Sequence, residues 1–338
     1  MRLRTVAAVV LCSLIMCGVI GCGSQQKVPA PAEKPAAPAG PAPAKREPIT
    51  VAGSSTGGTW YIMCGAISTV LNKYMDTVEA SPKPSGGSVE NCRNIQSGDT
   101  EMGLAVANVA YGAYQGADPW KDAAIKDLRA MFNTYINPLY IGVPKESKIQ
   151  SVTDLKGKKI GGGPPGGSET LTFTAVLKAV GIDPSSVTIA AVSDTERAEA
   201  LRNGQVDAAV WLLGPGAPVL SELCTTKDVR FLPLDPAVMD KLHADYPYMV
   251  PGTITKGMFK GVDQDIPAIV IYGIMCTSAK WDEQKVYQIT KTIFEHIDEI
   301  STVAPLAKGM TPENAVKGLP LPLHSGAEKY FKEVGALK

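Results

Sequence analysis

The sequence predicts an α/β fold long enough for two lobes. Short apolar strands alternate with amphipathic helices from Ile49 onward. The alternation restarts near Ser151 with a similar order of parts but different residues. The stretch that alternates is roughly 290 residues, more than one ordinary core needs.

The first set of elements opens with a strand over Ile49–Gly53 and a helix over 58–74. A strand at Thr77–Ala80 leads to a helix over 88–97, and Met102–Val106 leads to a short helix from Val109 to Gln115. This order predicts a parallel sheet layered with helices. Leu128–Thr134 and Leu139–Pro144 read as two further strands. The second set runs from strand Lys159–Gly162 through a helix over 169–180, strand Val187–Val192, a helix over 194–203, strand Val206–Trp211 and helix Pro218–Cys224. Ser193-Asp194-Thr195-Glu196 is a capping box: the serine bonds forward and the glutamate reaches back. Beyond Tyr246, Pro247, Pro251, Gly252 and Gly257 mark an irregular crossing. A long strand, Ala268–Cys276, follows. A helix over 282–299 then places Val286, Ile289, Ile293, Phe294 and Ile297 at helical spacing. Thr311-Pro312 caps a short helix, and Gly326 to Val334 is helical.

The N-terminal 48 residues have a different character. Arg2 and Arg4 precede an apolar run from Thr5 to Gly21, and Val19-Ile20-Gly21-Cys22 looks like a bacterial lipobox. The expectation is a signal peptide over 1–21, with Cys22 lipidated as the first mature residue; the alternative is an uncleaved membrane anchor. Both put the body outside the cytoplasm, periplasmic or at the cell surface. Val28–Pro48 contains seven Pro and seven Ala. Such a stretch favours extended polyproline II over a packed core, so 22–48 reads as a semi-rigid tether reaching on the order of 80 Å.

Charge excludes some partners. The chain has 33 basic and 33 acidic residues and no basic block, which argues against nucleic acid. Cys64, Cys92, Cys224 and Cys276 remain after the leader, with no spacing that demands bridges. Buried thiols are the expected state, with a Cys64–Cys92 disulfide as the alternative. His243, His296 and His324 are far apart and give no metal spacing, so no metal or cofactor is expected.

Three glycine- and hydroxyl-rich turns stand at predicted helix starts: Gly53 to Thr59, Pro84 to Ser88 and Gly161 to Ser168. Backbone N–H groups at a helix N-terminus favour an anion. Ser55, Thr56, Gly57, Gly58 and Tyr61 are candidates from the first turn, and Gly86, Gly87 and Ser88 from the second. Gly167 and Ser168 come from the third. The alternative for the second turn is a helix cap alone. Gly53-Ser54-Ser55-Thr56-Gly57 formally matches the nucleophile elbow of α/β hydrolases, but only one strand precedes it in the body. Gly161-Gly162-Gly163-Pro164-Pro165-Gly166 formally matches a dinucleotide turn, but its two prolines and the missing acid after a strand argue against one.

Several strings together resemble the TAXI family of TRAP-transporter solute receptors. They are Ser85-Gly86-Gly87-Ser88-Val89-Glu90-Asn91, Gly103 to Tyr111, Val152-Thr153-Asp154-Leu155-Lys156-Gly157-Lys158, Pro247-Tyr248 and the tail from Ala315 to Ala327. The resemblance covers roughly 49–338. It implies a two-lobed periplasmic-binding-protein fold of the type II, Venus-flytrap kind, with one lobe from 49–145 plus 246–338 and the other from 146–245. It also implies a monomeric solute receptor, not an enzyme, serving a sodium-coupled TRAP permease. Trp211 ends its strand and Gly214 stands in the turn that follows, which the resemblance places at the cleft; the alternative for Trp211 is a core position. Ala107 and Asn108 stand where the family has a pair such as Ser-Asp. That neutral Asn favours a dicarboxylate or oxo acid over a glutamate-like amino acid. A lipoprotein sensor docking on a signalling receptor, or an exported serine hydrolase, are the alternatives.

Overall fold

The computed structural model describes residues 46–338 apart from 55, 57, 58, 118, 119 and 164–166. The signal-like segment, Cys22 and nearly all of the Pro/Ala-rich stretch lie outside the described residues. The chain is already tied to the body at Arg46, whose Nη2 donates to Asn72 O at 3.0 Å and Met75 O at 3.1 Å.

β1 (Glu47–Ala52) lies between β2 (Val78–Lys83) and β3 (Met102–Val106), both parallel to it. The connections are α1 (Thr59–Tyr74) and α2 (Ser88–Ser97), and α3 (Ala107–Gln115) follows β3. The two strands expected after α3 are one, β4 (Leu128–Pro144), 17 residues long. Pro138 does not break it. Pro138 pairs with Val270 of β10 (Ile266–Ser278), and the next residue, Leu139, pairs with Leu212 of β7 (Ala208–Leu212). The proline stands where pairing passes from one neighbour to another, the position that loses least from a missing N–H.

The second set forms around β5 (Lys159–Gly162), which runs parallel to β6 (Thr188–Ala191) and to β7. β8 (Val229–Phe231) pairs with the end of β4, and β9 (Val250–Ile254) with the first part of β10. The strand order is β2-β1-β3-β10-β4-β7-β5-β6. The sheet is therefore mixed, not parallel throughout: β10 is antiparallel to β3 and β4, and β4 is antiparallel to β7. The parallel pairs are those joined by helical crossovers within each set. β4 and β10 carry the chain between the sets and escape that constraint.

α4 (Ser168–Ala179), α5 (Asp194–Arg202), α6 (Pro218–Thr226) and α7 (Pro236–Asp245) belong to the second half of the order. The helix expected over 282–299 is two, α8 (Glu283–Glu295) and α9 (Ile297–Val303), separated at His296 with φ −120° and ψ 26°. The His296 ring stacks on Tyr74 at 3.6 Å. α10 (Pro312–Ala315) is capped by Thr311, and α11 (Ser325–Glu333) closes the chain.

Two buried clusters flank the first group of strands. One holds Cys64, Ile67, Phe132 and Phe331, the other Cys92, Ala105, Ile274 and Cys276. Cys64 and Cys92 thus sit in different clusters as free thiols, and burial pushes both up to about 12. A third cluster gathers Tyr140, Trp211 and Phe231 with Ile254, Phe259, Val262 and Ala268. Residues beyond 246 therefore pack with the second set before the chain returns along β10.

Candidate functional site

A cavity of about 800 Å³ opens where the N-terminal turn of α1, the middle of β4, the loop after β7 and the loop after α9 meet. That volume is within the range of small-molecule sites. Ser54, Thr59, Trp60 and Ile62 form one wall, and Leu212 to Val219 with Asp194 and Thr195 form another. Val303 to Leu306 close a third side, and Tyr135 and Asn137 come from β4.

Local structure explains how these residues arrive. Gly53 lets the chain turn tightly into α1: a Cβ there would lie 2.9 Å from the Trp60 and Tyr61 backbone. The Gly53 carbonyl is held by Asn91 Nδ2 at 2.7 Å and Ser85 Oγ at 3.0 Å. In β4 the register shifts opposite Gly273, where Thr134 Oγ1 donates to Gly273 O at 3.0 Å. Such a bulge re-aims the side chains around it. Gly273 leaves room for the Thr134 hydroxyl, which a Cβ would approach to 2.7 Å, and the Trp60 indole packs beside it. Burial pushes the Tyr135 phenol above its ordinary pKa, opposed by the Trp60 side chain that hydrogen-bonds to it.

Asp194 enters through its capping box. Ser193 N donates to Glu196 Oε2 at 2.8 Å and Glu196 N to Ser193 Oγ at 3.4 Å, as the sequence predicts. The buried Trp211 indole donates to Asp194 O at 3.2 Å. Arg197, 3% exposed, pairs with Asp194 Oδ1 at 2.6 Å and Glu169 Oε1 at 3.2 Å. Its Nη1 donates to Val210 O at 2.5 Å and its Nε to Ser193 O at 3.4 Å. Burial nevertheless pushes the Asp194 carboxyl up, against the pull of Arg197. Asp194 is the one charged side chain among the described residues lining the cavity. A ligand carboxylate about 6 Å from it would be repelled by about 3 kcal/mol at an effective dielectric of about 20.

The candidates from the sequence fall in different places. Gly214 lines the cavity, packed so that a Cβ would meet Tyr135 at 3.1 Å and Leu306 at 3.3 Å. Ser55, Gly57 and Gly58 lie outside the described residues, next to the lining residues Ser54 and Thr59. Thr56 is exposed and Tyr61 half-buried on the same turn. Gly86 N donates to Glu90 Oε2 at 2.9 Å and Gly87 N to Ser85 Oγ at 3.1 Å. Ser88 Oγ accepts from Val106 N at 3.0 Å, so this turn meets its own needs internally. Asn108 and Ser168 are joined to each other: Ser168 Oγ donates to Asn108 Oδ1 at 2.7 Å. Gly167 is the N-cap before Ser168. Trp211 is wholly buried in the third cluster.

Sequence reasoning missed Tyr135, Asn137, Asp194, Thr195 and the segment Val303 to Leu306. The capping box did mark Asp194, but as a helix start only. The histidines have structural partners. His243 Nδ1 lies 3.0 Å from Met249 O, His296 stacks on Tyr74, and His324 caps α11.

The sequence profile of the NMT1-like family matches residues 51–335. The chain belongs to the NMT1-like family. The fold of this NMT1-like chain is that of the two-lobed periplasmic solute-binding proteins. It superimposes on a TctC solute-binding protein from Polaromonas, determined without ligand, with TM-score 0.53 and 14% identity over 86% of this chain and 99% of that one. The protein XAC2383 from Xanthomonas citri, bound to chloride, gives TM-score 0.51 and 9% identity over 86% and 96% of the two chains.

Proposed function

We propose that this NMT1-like chain is a lipid-tethered extracytoplasmic receptor that captures a small organic acid and hands it to a TRAP-type, sodium-coupled permease. The observation that carries the reading is the cavity of about 800 Å³, walled by both sets of elements and floored by the strand that runs between them. Family membership and the solute-binding fold support it. The TAXI-like strings supply the permease type, and the lipobox-like Cys22 with its Pro/Ala tether supplies the anchor.

The work is recognition, without a bond broken. One end of the acid lies against the turn from Ser54 through Thr59 and Trp60, where helix N–H groups and the positive end of the α1 dipole favour an anion. Ser55 to Gly58 belong to that turn and remain proposed contacts. The body of the ligand touches Leu212 to Val219 on the opposite wall. Contacts made to both walls at once favour the closed form, and ligand therefore shifts the population towards it. The closed form is what the permease reads.

Two measurements test this. Mass spectrometry of small acids released from the natively purified full chain should find one retained species. The same species should be absent from Ala217→Trp, which puts a bulky side chain at the cavity lining. Uptake reconstituted in vesicles should require this protein and a sodium gradient; uptake driven by ATP would reject the TRAP assignment.

A further inference from the structure

We infer that the acid this cavity takes is a monocarboxylate with an apolar body and a protonated amine, an amino acid of the leucine or phenylalanine kind. The inference rests on the receptor reading above and narrows its ligand class. Its ammonium faces Asp194.

Three independent observations carry it. First, the walls are largely apolar: Trp60, Ile62, Leu213, Val219, Val303 and Leu306 surround the space. A short diacid would leave these surfaces without a partner, whereas a branched or aromatic side chain covers them. Second, no described lining residue is Lys, Arg or His. The residues of the body that are not described, Ser55, Gly57, Gly58, Asp118, Pro119, Pro164, Pro165 and Gly166, include no basic residue either. Arg197 pairs with Asp194 but is not among the described lining residues, and its guanidinium is already engaged by Asp194, Glu169 and Val210 O. One carboxylate is served by helix N–H groups; a second would find no cation on the described lining and would share it with Asp194.

Third, two side-chain acceptors at the cavity have no described donor. Asn137 is 7% exposed and lines the cavity. Its Nδ2 donates to Ile271 O at 3.1 Å, which fixes the amide orientation and leaves Oδ1 without a described partner. Asp194 uses Oδ1 for Arg197, and Oδ2 has no donor among the described residues. Both acceptors suit a donor on the ligand. Ammonium supplies three N–H donors and the opposite charge to Asp194. Asn108, the position that favoured an amine-free acid in the sequence, is bonded to Ser168 instead and is not among the lining residues.

The test pairs each amino acid with its own oxo acid on the full chain by calorimetry. Leucine is compared with 4-methyl-2-oxopentanoate and phenylalanine with phenylpyruvate, alongside glutamate, succinate and 2-oxoglutarate. At least one apolar amino acid should bind tenfold or more tightly than its oxo counterpart and than all three of the others. Asp194→Asn should erase that tenfold preference. An oxo acid or a diacid binding as tightly as the amino acids would overturn the inference while leaving the acid receptor intact. Binding of phenethylamine as tight as that of phenylalanine would instead remove the carboxylate from the receptor reading and keep the amine. No binding by any of these probes overturns the inference. The wild-type comparison stands even if Asp194→Asn fails to fold.

Discussion

Ser168 Oγ donates to Asn108 Oδ1 at 2.7 Å, joining the first turn of α4 to the first turn of α3. Asn108 Oδ1 also accepts from Val109 N at 2.9 Å, and its Nδ2 reaches Ser168 O at 3.4 Å. The two helices come from different sets, so this pair is a latch between the halves that wall the cavity. A half-buried hydrogen bond of this kind is worth about 1 kcal/mol. On the receptor reading, in which the halves part when empty, Ser168→Ala should lower the affinity for ligand about fivefold, because only the closed form keeps this contact. Calorimetry checks the affinity. Small-angle scattering should show a larger radius of gyration for the ligand-free variant.

Arg197 is a second point of tension. Its guanidinium is almost wholly buried and neutralises Glu169 from α4 and Asp194 from α5. Arg197→Met leaves two carboxylates without their cation. Breaking a buried pair costs about 3–5 kcal/mol; Asp194 is 43% exposed, so about 3 kcal/mol is expected. Denaturant unfolding measures it. The triple variant Arg197→Met, Glu169→Gln, Asp194→Asn should recover part of the loss.

His324 gives a dependence on pH. Its ring is 2% exposed, Nδ1 accepts from Gly326 N at 3.2 Å, and Nε2 donates to Trp281 O at 3.1 Å. Burial, with the Arg129 charge, holds its pKa below the ordinary value, against the Trp281 carbonyl. The folded protein thus keeps the ring neutral where the unfolded chain would protonate it. The stabilisation is complete above the unfolded value of about 6.5 and is lost as pH falls through the lowered folded value. His324→Asn retains a cap for α11 but does not titrate. Its melting temperature should fall less than that of the wild type between pH 7 and pH 5.

Gly326 marks the closest approach of α11 to α8. A Cβ there would come within 2.6 Å of Tyr287 N and still nearer to Glu283 O, both backbone atoms that cannot swing aside. Gly326→Ala should cost about 1–3 kcal/mol, the usual range for overpacking, and lower the melting temperature by several degrees. Ligand affinity at low temperature should not change, since the residue is not among those lining the cavity.

Much of this fold could be read from the sequence because its signals are local. The strand β3, the helix α2, the capping box at Ser193 and Glu196, and the Thr311-Pro312 cap all stand where periodicity and cap chemistry put them. What the sequence hid was set by distant neighbours. Leu128–Thr134 and Leu139–Pro144 read as two strands, but pairing of Ile136, Asn137 and Pro138 with β10 keeps β4 continuous. His296 is an ordinary residue in a helical pattern, yet the chain bends there and stacks its ring on Tyr74. β8 is three residues long and too short to show a period.

The cavity was harder to foresee for the same reason. Tyr135, Asn137 and Leu306 carry no motif and meet only because a bulge in β4 and the end of α9 face one another. The glycine turns do advertise themselves, but glycine turns also serve backbone needs. Gly86 and Gly87 show this, with their N–H groups spent on Glu90 and Ser85.

The continuity of β4 and β10 has a mechanical consequence. Nothing between the halves along these strands resembles a floppy joint; the link is a hydrogen-bonded ribbon. Parting the halves must wind or unwind that ribbon over many residues, each contributing a small torsion. On the receptor reading, the bend is then shared along the whole strip, as in a leaf spring.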